Sequence, residues 1–278
     1  MAVLTVQDNT RNQAGAIYFE HHRVAKSALT VVLAHGWGMS SRIWDDTTAW
    51  LIDSGYSVLA FDQRNCGASD KDFADVSIEA LSQDLAALVD HCSITSAVLN
   101  GWSLGGAVVT GAAPLLGDKL AGLVSTCGAT PRYTQAEGFP HGGTADDVAG
   151  TVTALRADRV NFLEALYCDG AFVKPVSDAI KTWAHGIALQ ASPAADASLG
   201  ALASIDQRDT MGALQVPALF ITSSADGVVD PAIGEFAANL APHGQLAVMD
   251  GCGHTPFIED PTAYRDAVGR FLASIATS

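Results

Sequence analysis

The chain has 278 residues, the length of one large domain or of one domain carrying an insertion. Hydrophobic residues make up 49% of it, enough to bury a sizeable core. Against 15 Lys and Arg stand 30 Asp and Glu, a net charge of -15, and so acidic a chain is a poor partner for nucleic acid or an anionic membrane.

The opening "MAVLTVQDNTRNQ" has neither a basic n-region nor a long apolar h-region. No secretory signal is expected, and the cytoplasm is the expected compartment. The runs "AVLTV" and "GAIYFE" read as an antiparallel hairpin. His21 and His22 lack a matching ligand cluster and read as surface residues, not a metal site. Then come "LTVVLAHG", "YSVLAFD", "SAVLNG" and "LAGLVSTCG", followed after a gap by "PALFITSSAD" and "QLAVMDGCGH". These are continuous apolar runs, the pattern of strands buried on both faces of a sheet.

Helical segments lie between them: "SIEALSQDLAALVDHC" with Ser77 as cap, "SLGGAVVTGAAPLL", "IGEFAANLAP" and the closing "TAYRDAVGRFLASI". The alternation predicts an α/β fold with a mostly parallel central sheet and helices on both faces. Residues 93–117 carry no charge, but Asn100, Ser103, Pro114 and several glycines argue for a buried soluble segment and not a membrane span. Five scattered cysteines, with no C-x-x-C pair, fit reduced thiols.

The rhythm breaks after residue 128. "TPRYTQAEGFPHGGT" is rich in turn residues, and "ADDVAGTVTALRADRVNFLEALYC" and "VSDAIKTWAHGIALQAS" read as helical. This divides the chain into a first core part over 1–128, a helical lid over 129–205 and a second core part over 206–278. The turn-rich start suggests a mobile lid whose removal would leave a folded but less selective core. Its cations are Arg132, Arg156, Arg159, Lys174 and Lys181, outnumbered by eight acidic residues; Arg156 and Arg159 are spaced to share one helix face.

One short stretch carries the chemistry. Gly101-Trp102-Ser103-Leu104-Gly105 matches G-x-S-x-G, with a strand before and a helix after it. Such a turn is sharp, so glycine is needed where the backbone passes close. Ser103 is then a nucleophile, and the Leu104 N–H, at the helix start, faces the developing oxyanion. A second donor is the N–H of Trp37 in "HGWGMS", where His35 braces the loop and is not the base. His254, in "DGCGHTPFIEDP" after the last strand, is the candidate base; His91, His185 and His243 read as surface or packed residues. Asp226, where a strand stops, is the candidate orienting acid. Asp230 is the alternative acid, though its place before Pro231 also fits a helix cap. The order Ser103, Asp226, His254 is that of one known hydrolase architecture. The implied chemistry is acyl transfer to Ser103 and hydrolysis of the acyl-enzyme, needing no metal and no organic cofactor.

These pieces, "HGWG", "FDQRNCGASDK", "GWSLGG", "SADGVVDP" and "GCGHTPFIEDP" in that order, resemble the α/β-hydrolase superfamily along the whole chain. Ser at 103 departs from the dehalogenases and epoxide hydrolases, which carry Asp there. "HGWGMSSRIWD" with "GWSLGG" is similar to the pimeloyl-[acyl-carrier-protein] methyl ester esterases, carboxylesterases of biotin synthesis with a helical lid. Other esterases and acyl-homoserine lactonases also resemble the "GWSLGG" piece. The resemblance implies a serine carboxylesterase acting on a small ester or lactone with an apolar acyl part. The alternatives are a carrier-bound pimeloyl methyl ester, with an acyl carrier protein as partner, a C–C bond hydrolase of ring-cleavage products, or a non-hydrolytic ligand receptor. Trp37, Trp102, Leu104, Phe139 and Phe162 are expected to wall the substrate pocket, with Leu166, Tyr167 and Trp183 as further lid candidates. Nothing in the pattern fixes an oligomeric state.

Overall fold

The computed structural model describes residues 2–276. Eight strands form one sheet: β1 (Ala2–Asp8), β2 (Gln13–His22), β3 (Thr30–Ala34), β4 (Ser57–Phe61), β5 (Ala97–Trp102), β6 (Leu120–Thr126), β7 (Ala218–Ser223) and β8 (Gly244–Met249). Their spatial order is β1-β2-β4-β3-β5-β6-β7-β8. β1 and β2 form the antiparallel hairpin, and β2 joins β4 antiparallel; all other neighbours are parallel. Every residue of β3, β4, β5 and β7 is buried, which is why these strands are written as unbroken apolar runs. β8 departs from that pattern. It is an edge strand, and Leu246 and Val248 stand exposed on it.

Parallel neighbours need crossovers, and helices supply them. They are α1 (Asp45–Asp53) after β3, α2 (Ile78–His91) after β4, α3 (Leu104–Leu116) after β5 and, later in the chain, α9 (Pro231–Leu240) after β7. Ser77 caps α2 by accepting from the Ala80 N–H at 3.2 Å. Behind β4, the Arg64 guanidinium forks onto Asp84 of α2 at 2.6 and 2.8 Å and also donates to the Gln7 carbonyl of β1, tying hairpin, loop and helix together.

Residues 127–217 hold no strand of the sheet. The turn-rich part makes two isolated bridges, Thr134 with Gly143 and Ala136 with Phe139. Then follow α4 (Ala145–Ala157), α5 (Arg159–Glu164), a π-helical turn (Ala165–Gly170), α6 (Asp178–Ala188), α7 (Asp196–Ala201) and α8 (Arg208–Gly212). The stretch that reads as one helix from 145 to 168 is broken at Asp158, whose backbone leaves the helical region (φ -152, ψ 73). The chain closes with α10 (Pro256–Glu259) and α11 (Pro261–Ala276). No helix among the described residues is long and apolar enough to cross a membrane.

Candidate active site

Ser103 sits between β5 and α3 with φ 57 and ψ -123, a left-handed backbone that a residue with a Cβ adopts only under constraint. The constraint is visible. The Ser103 N–H donates to the Thr126 carbonyl at 3.1 Å, and the Ser103 carbonyl accepts from Gly106 and Ala129, both at 2.9 Å. The flanking glycines are obligatory on steric grounds. A Cβ on Gly101 would lie 2.1 Å from the Gly105 carbonyl oxygen, and one on Gly105 would lie 2.3 Å from that of Ala34.

His254 lies on the loop between β8 and α10, and Asp226 just beyond β7, so both reach the same sheet edge as the β5–α3 turn. His254 Nδ1 donates to Asp226 Oδ2 at 2.8 Å, which leaves Nε2 as the free ring acceptor. Asp226 Oδ1 accepts from the N–H groups of Val228 (2.8 Å) and Val229 (3.0 Å). Burial alone would push the Asp226 carboxyl up. The facing His254 and these two N–H groups outweigh it, and the carboxyl sits below its usual range. Asp230, the alternative acid, instead caps α9 through Ala232 N and accepts from Gly142 N with its other oxygen.

The loop after β3 is held from both sides. The buried His35 ring donates from Nδ1 to the Gly36 carbonyl (2.8 Å) and accepts at Nε2 from Gln63 N (3.0 Å). Burial holds its pKa down, so it is a neutral brace with a fixed tautomer. Trp37 is pinned by the region above the sheet: its carbonyl accepts from Tyr167 Oη at 2.5 Å and its indole N–H donates to the Ala195 carbonyl at 3.3 Å. Leu104 is the first residue of α3, so its N–H lies ahead of the helix's own hydrogen-bond ladder.

Ser103 and His254 open into a cavity of about 90 Å³ lined by Trp37, Trp102, Ala129, Tyr133, Thr151, Phe162, Leu166, Tyr167, Leu199, Leu202, Val228 and Val229. Nearly all of that lining is apolar, and both tyrosine hydroxyls are already spent on the Trp37 and Val228 carbonyls. A second, more open space of about 380 Å³ shares Tyr133, Thr151, Leu199 and Val228 with it and reaches Asp147 and Asp230. Three pocket expectations need correction. The Leu104 side chain does not line the cavity: it is buried in the core of the sheet and its helices. Phe139 does not line the cavity: it is fully buried against Val229, Ile233 and Phe236, its ring 4.9 Å from that of Phe236. Trp183 lies instead beside Asp45 and Asp46 of α1. The sequence shows that these side chains are apolar, but spacing in the chain does not say which neighbouring surface each one meets.

Two contributors have no motif. Tyr167 holds the loop after β3 from 130 residues away. Cys127, with a left-handed backbone at φ 43, lies beside Asp226; Cys127, Asp226 and His254 offer ligand atoms within 4.8 Å of one another. Two of the three are already bonded to each other, and burial and the Asp226 charge push the thiol well above its usual range. A metal there would have to break the His254–Asp226 bond and ionise a buried thiol, so the donor set suits hydrogen bonding better than metal binding.

The sequence model of the α/β hydrolase fold matches residues 30–261. The pimeloyl-[acyl-carrier protein] methyl ester esterase of Neisseria meningitidis is 31% identical over 252 residues, covering 86% of this chain and 93% of that protein. Among solved structures, an esterase from a Rhodococcus species superposes with a TM-score of 0.84 at 26% identity, over 99% of this chain and 100% of its own. A bromoperoxidase from Bacillus anthracis superposes with a TM-score of 0.89 at 23% identity, over 98% and 100%, a likeness of fold.

Proposed function

Because the chain belongs to the α/β hydrolase fold family and is an enzyme of that type, we propose that it is a serine carboxylic ester hydrolase acting on a small ester or lactone with an apolar acyl part. The observation that carries this reading is the His254–Asp226 hydrogen bond at 2.8 Å, with His254 opening beside Ser103 into one apolar cavity. Ser103 Oγ attacks the substrate carbonyl while His254 Nε2 takes its proton. Asp226 keeps the other ring proton on Nδ1 and stabilises the imidazolium that forms. The N–H groups of Leu104 and Trp37 receive the oxyanion. His254 then protonates the leaving alkoxide, and a water activated by the same ring releases the acid.

Trp37, Trp102 and Phe162 form the acyl wall in this reading, and residues 129–205 act as the lid that completes it. The apolar lining, with its tyrosine hydroxyls spent, favours a hydrocarbon acyl chain over a polar one. A second reading, the methyl ester of a pimeloyl chain on an acyl carrier protein, is favoured by the name of the Neisseria relative. The lid's charges weigh against it. Arg132 pairs with Asp206, Arg159 with Asp196, Lys174 with Asp260 and Lys181 with Asp169. A carrier protein is acidic and favours a basic docking patch. Labelling with a fluorophosphonate, followed by turnover of a p-nitrophenyl ester series, tests the proposal. Stoichiometric labelling at Ser103 with ester turnover is expected, and a protein that neither labels nor turns over would refute it.

A further inference from the structure

Glu259 ends the one-turn helix α10, five residues after His254, and its side chain folds back over the loop it follows. Oε2 accepts from three backbone N–H groups: Val173 at 2.7 Å, Lys174 at 2.8 Å and Gly253 at 3.0 Å. Oε1 accepts from Thr255 N at 3.3 Å and Thr255 Oγ1 at 3.2 Å. One carboxylate therefore grips the residues on both sides of His254 and, at the same time, the strap between the π-helical turn and α6. The strap returns the grip, since the Ala171 carbonyl accepts from His254 N at 2.9 Å and competes with Glu259 Oε1 for the single Thr255 hydroxyl proton at 3.3 Å. The fit leaves no slack. A Cβ on Gly253 would lie 2.9 Å from the Ala171 carbonyl oxygen, 3.0 Å from Val173 N and 3.1 Å from Glu259 Oε1.

From this geometry, and resting on the serine-hydrolase reading, we infer that Glu259 is a positioning residue that locks the main chain of His254 against the strap, so that the imidazole meets both Asp226 and Ser103. The role is one of reach. A carboxylate at this distance spans two sets of donors that no shorter side chain spans. The imidazole hangs from a backbone fixed at three consecutive residues, Gly253, His254 and Thr255. The substrate pocket is lined by other residues, so loosening this anchor misplaces the base and leaves the acyl wall standing. Displacement of a catalytic group by about 1 Å can cost roughly 10²-fold in rate.

The test is a Glu259 series assayed with p-nitrophenyl butyrate for kcat and KM, with the fluorophosphonate labelling rate and Tm alongside. Glu259→Ala is expected to lower kcat by roughly 10²-fold, and Glu259→Asp, which keeps the charge but retracts it, by about 10-fold. The labelling rate falls in parallel and KM stays within about twofold. Glu259→Gln keeps the length and leaves an oxygen for the Oε2 donors; its amide can donate to Thr255 Oγ1 but loses the bond from Thr255 N–H, so it is expected to lower kcat by less than Glu259→Asp does. If Glu259→Ala does not fold, the Asp and Gln variants carry the comparison. A rise in KM with kcat unchanged would make Glu259 only an anchor of the strap and overturn the inference. So would a Glu259→Gln enzyme as slow as Glu259→Asp, because charge and not reach would then be at work. Ser103→Ala separates the two levels. Loss of turnover there, with unaltered kinetics in the Glu259 series, refutes the positioning role alone. Retained turnover there refutes the nucleophile and the role of Glu259 with it.

Discussion

The left-handed backbone at Ser103 costs on the order of 1–3 kcal/mol, and the fold sustains it through the three main-chain hydrogen bonds at that residue. Such strain is of the kind stored at functional sites, which fits the proposed role of Ser103 as nucleophile. Ser103→Ala is expected to lower kcat by roughly 10⁴-fold or more, His254→Ala about as much, and the pair no further, since the two act as a unit. Steady-state assay with one ester settles this, and near-normal turnover in either variant would contradict the assignment. Asp226→Asn is expected to lower kcat by about 10⁴-fold through the wrong histidine tautomer. Asp230→Asn removes a charge from a cap and should change stability by about 1 kcal/mol or less while leaving kcat near normal. The reverse ranking would transfer the role of acid to Asp230. At this scale the sharp turn at Ser103 was legible because its constraint is local: carbonyls within four residues, or on the next strand, forbid a Cβ at Gly101 and Gly105. Glu259, and the hold of the Tyr167 hydroxyl on the Trp37 carbonyl, were not legible. Glu259 reaches the strap at Val173, 86 residues away, and Tyr167 reaches Trp37, 130 residues away, and no spacing rule connects either pair.

Among the elements, the central strands were readable because burial on both faces removes polar residues from them. β8 was misread by the same rule, since an apolar edge strand carries the same letters. Helix α1 went unpredicted. Only Thr47 and Leu51 of it are buried, so the apolar stripe that would announce it is too thin. The lid region reads differently in the structure from a loosely hinged flap. It gives the Ala171 carbonyl to His254 N and the Tyr167 hydroxyl to Trp37, so parts of the site's scaffold lie within it. Excising residues 129–205 should therefore abolish turnover, not merely broaden selectivity, and an active excised core would contradict this. A milder probe is Arg159, whose guanidinium holds the fully buried Asp196 and the Ala191 carbonyl. Arg159→Met leaves Asp196 buried without its cation, a change that costs about 3–5 kcal/mol in comparable pairs. Thermal unfolding and hydrogen exchange should show the loss concentrated in α5 and α7. An unchanged Tm with unchanged protection there would show that the pair contributes little.

For the molecule as a whole, net charge and surface pairing decide what can approach. The chain carries -15, and a carrier protein of the same sign meets that field before it meets any pocket. Arg156 and Arg159, which share a helical spacing in the sequence, do not form a joint basic spot. Asp158 breaks the helix between them, and Arg159 turns inward to Asp196. Arg156, in the last turn of α4, is what remains for an acidic partner on that face. Two substrates with the same acyl chain should therefore separate the readings: a free dialkyl ester, and the methyl ester linked through a thioester to an acyl carrier protein. The free ester is expected to have the higher kcat/KM. The carrier-linked ester should improve as salt rises from about 10 mM to 200 mM, because screening shortens the reach of the repulsion from roughly 30 Å to below 10 Å. Arg156→Glu should leave the free ester unaffected. A strong preference for the carrier-linked ester, falling with added salt and collapsing in Arg156→Glu, would instead mean that one exposed arginine recruits the carrier against the field of the whole molecule.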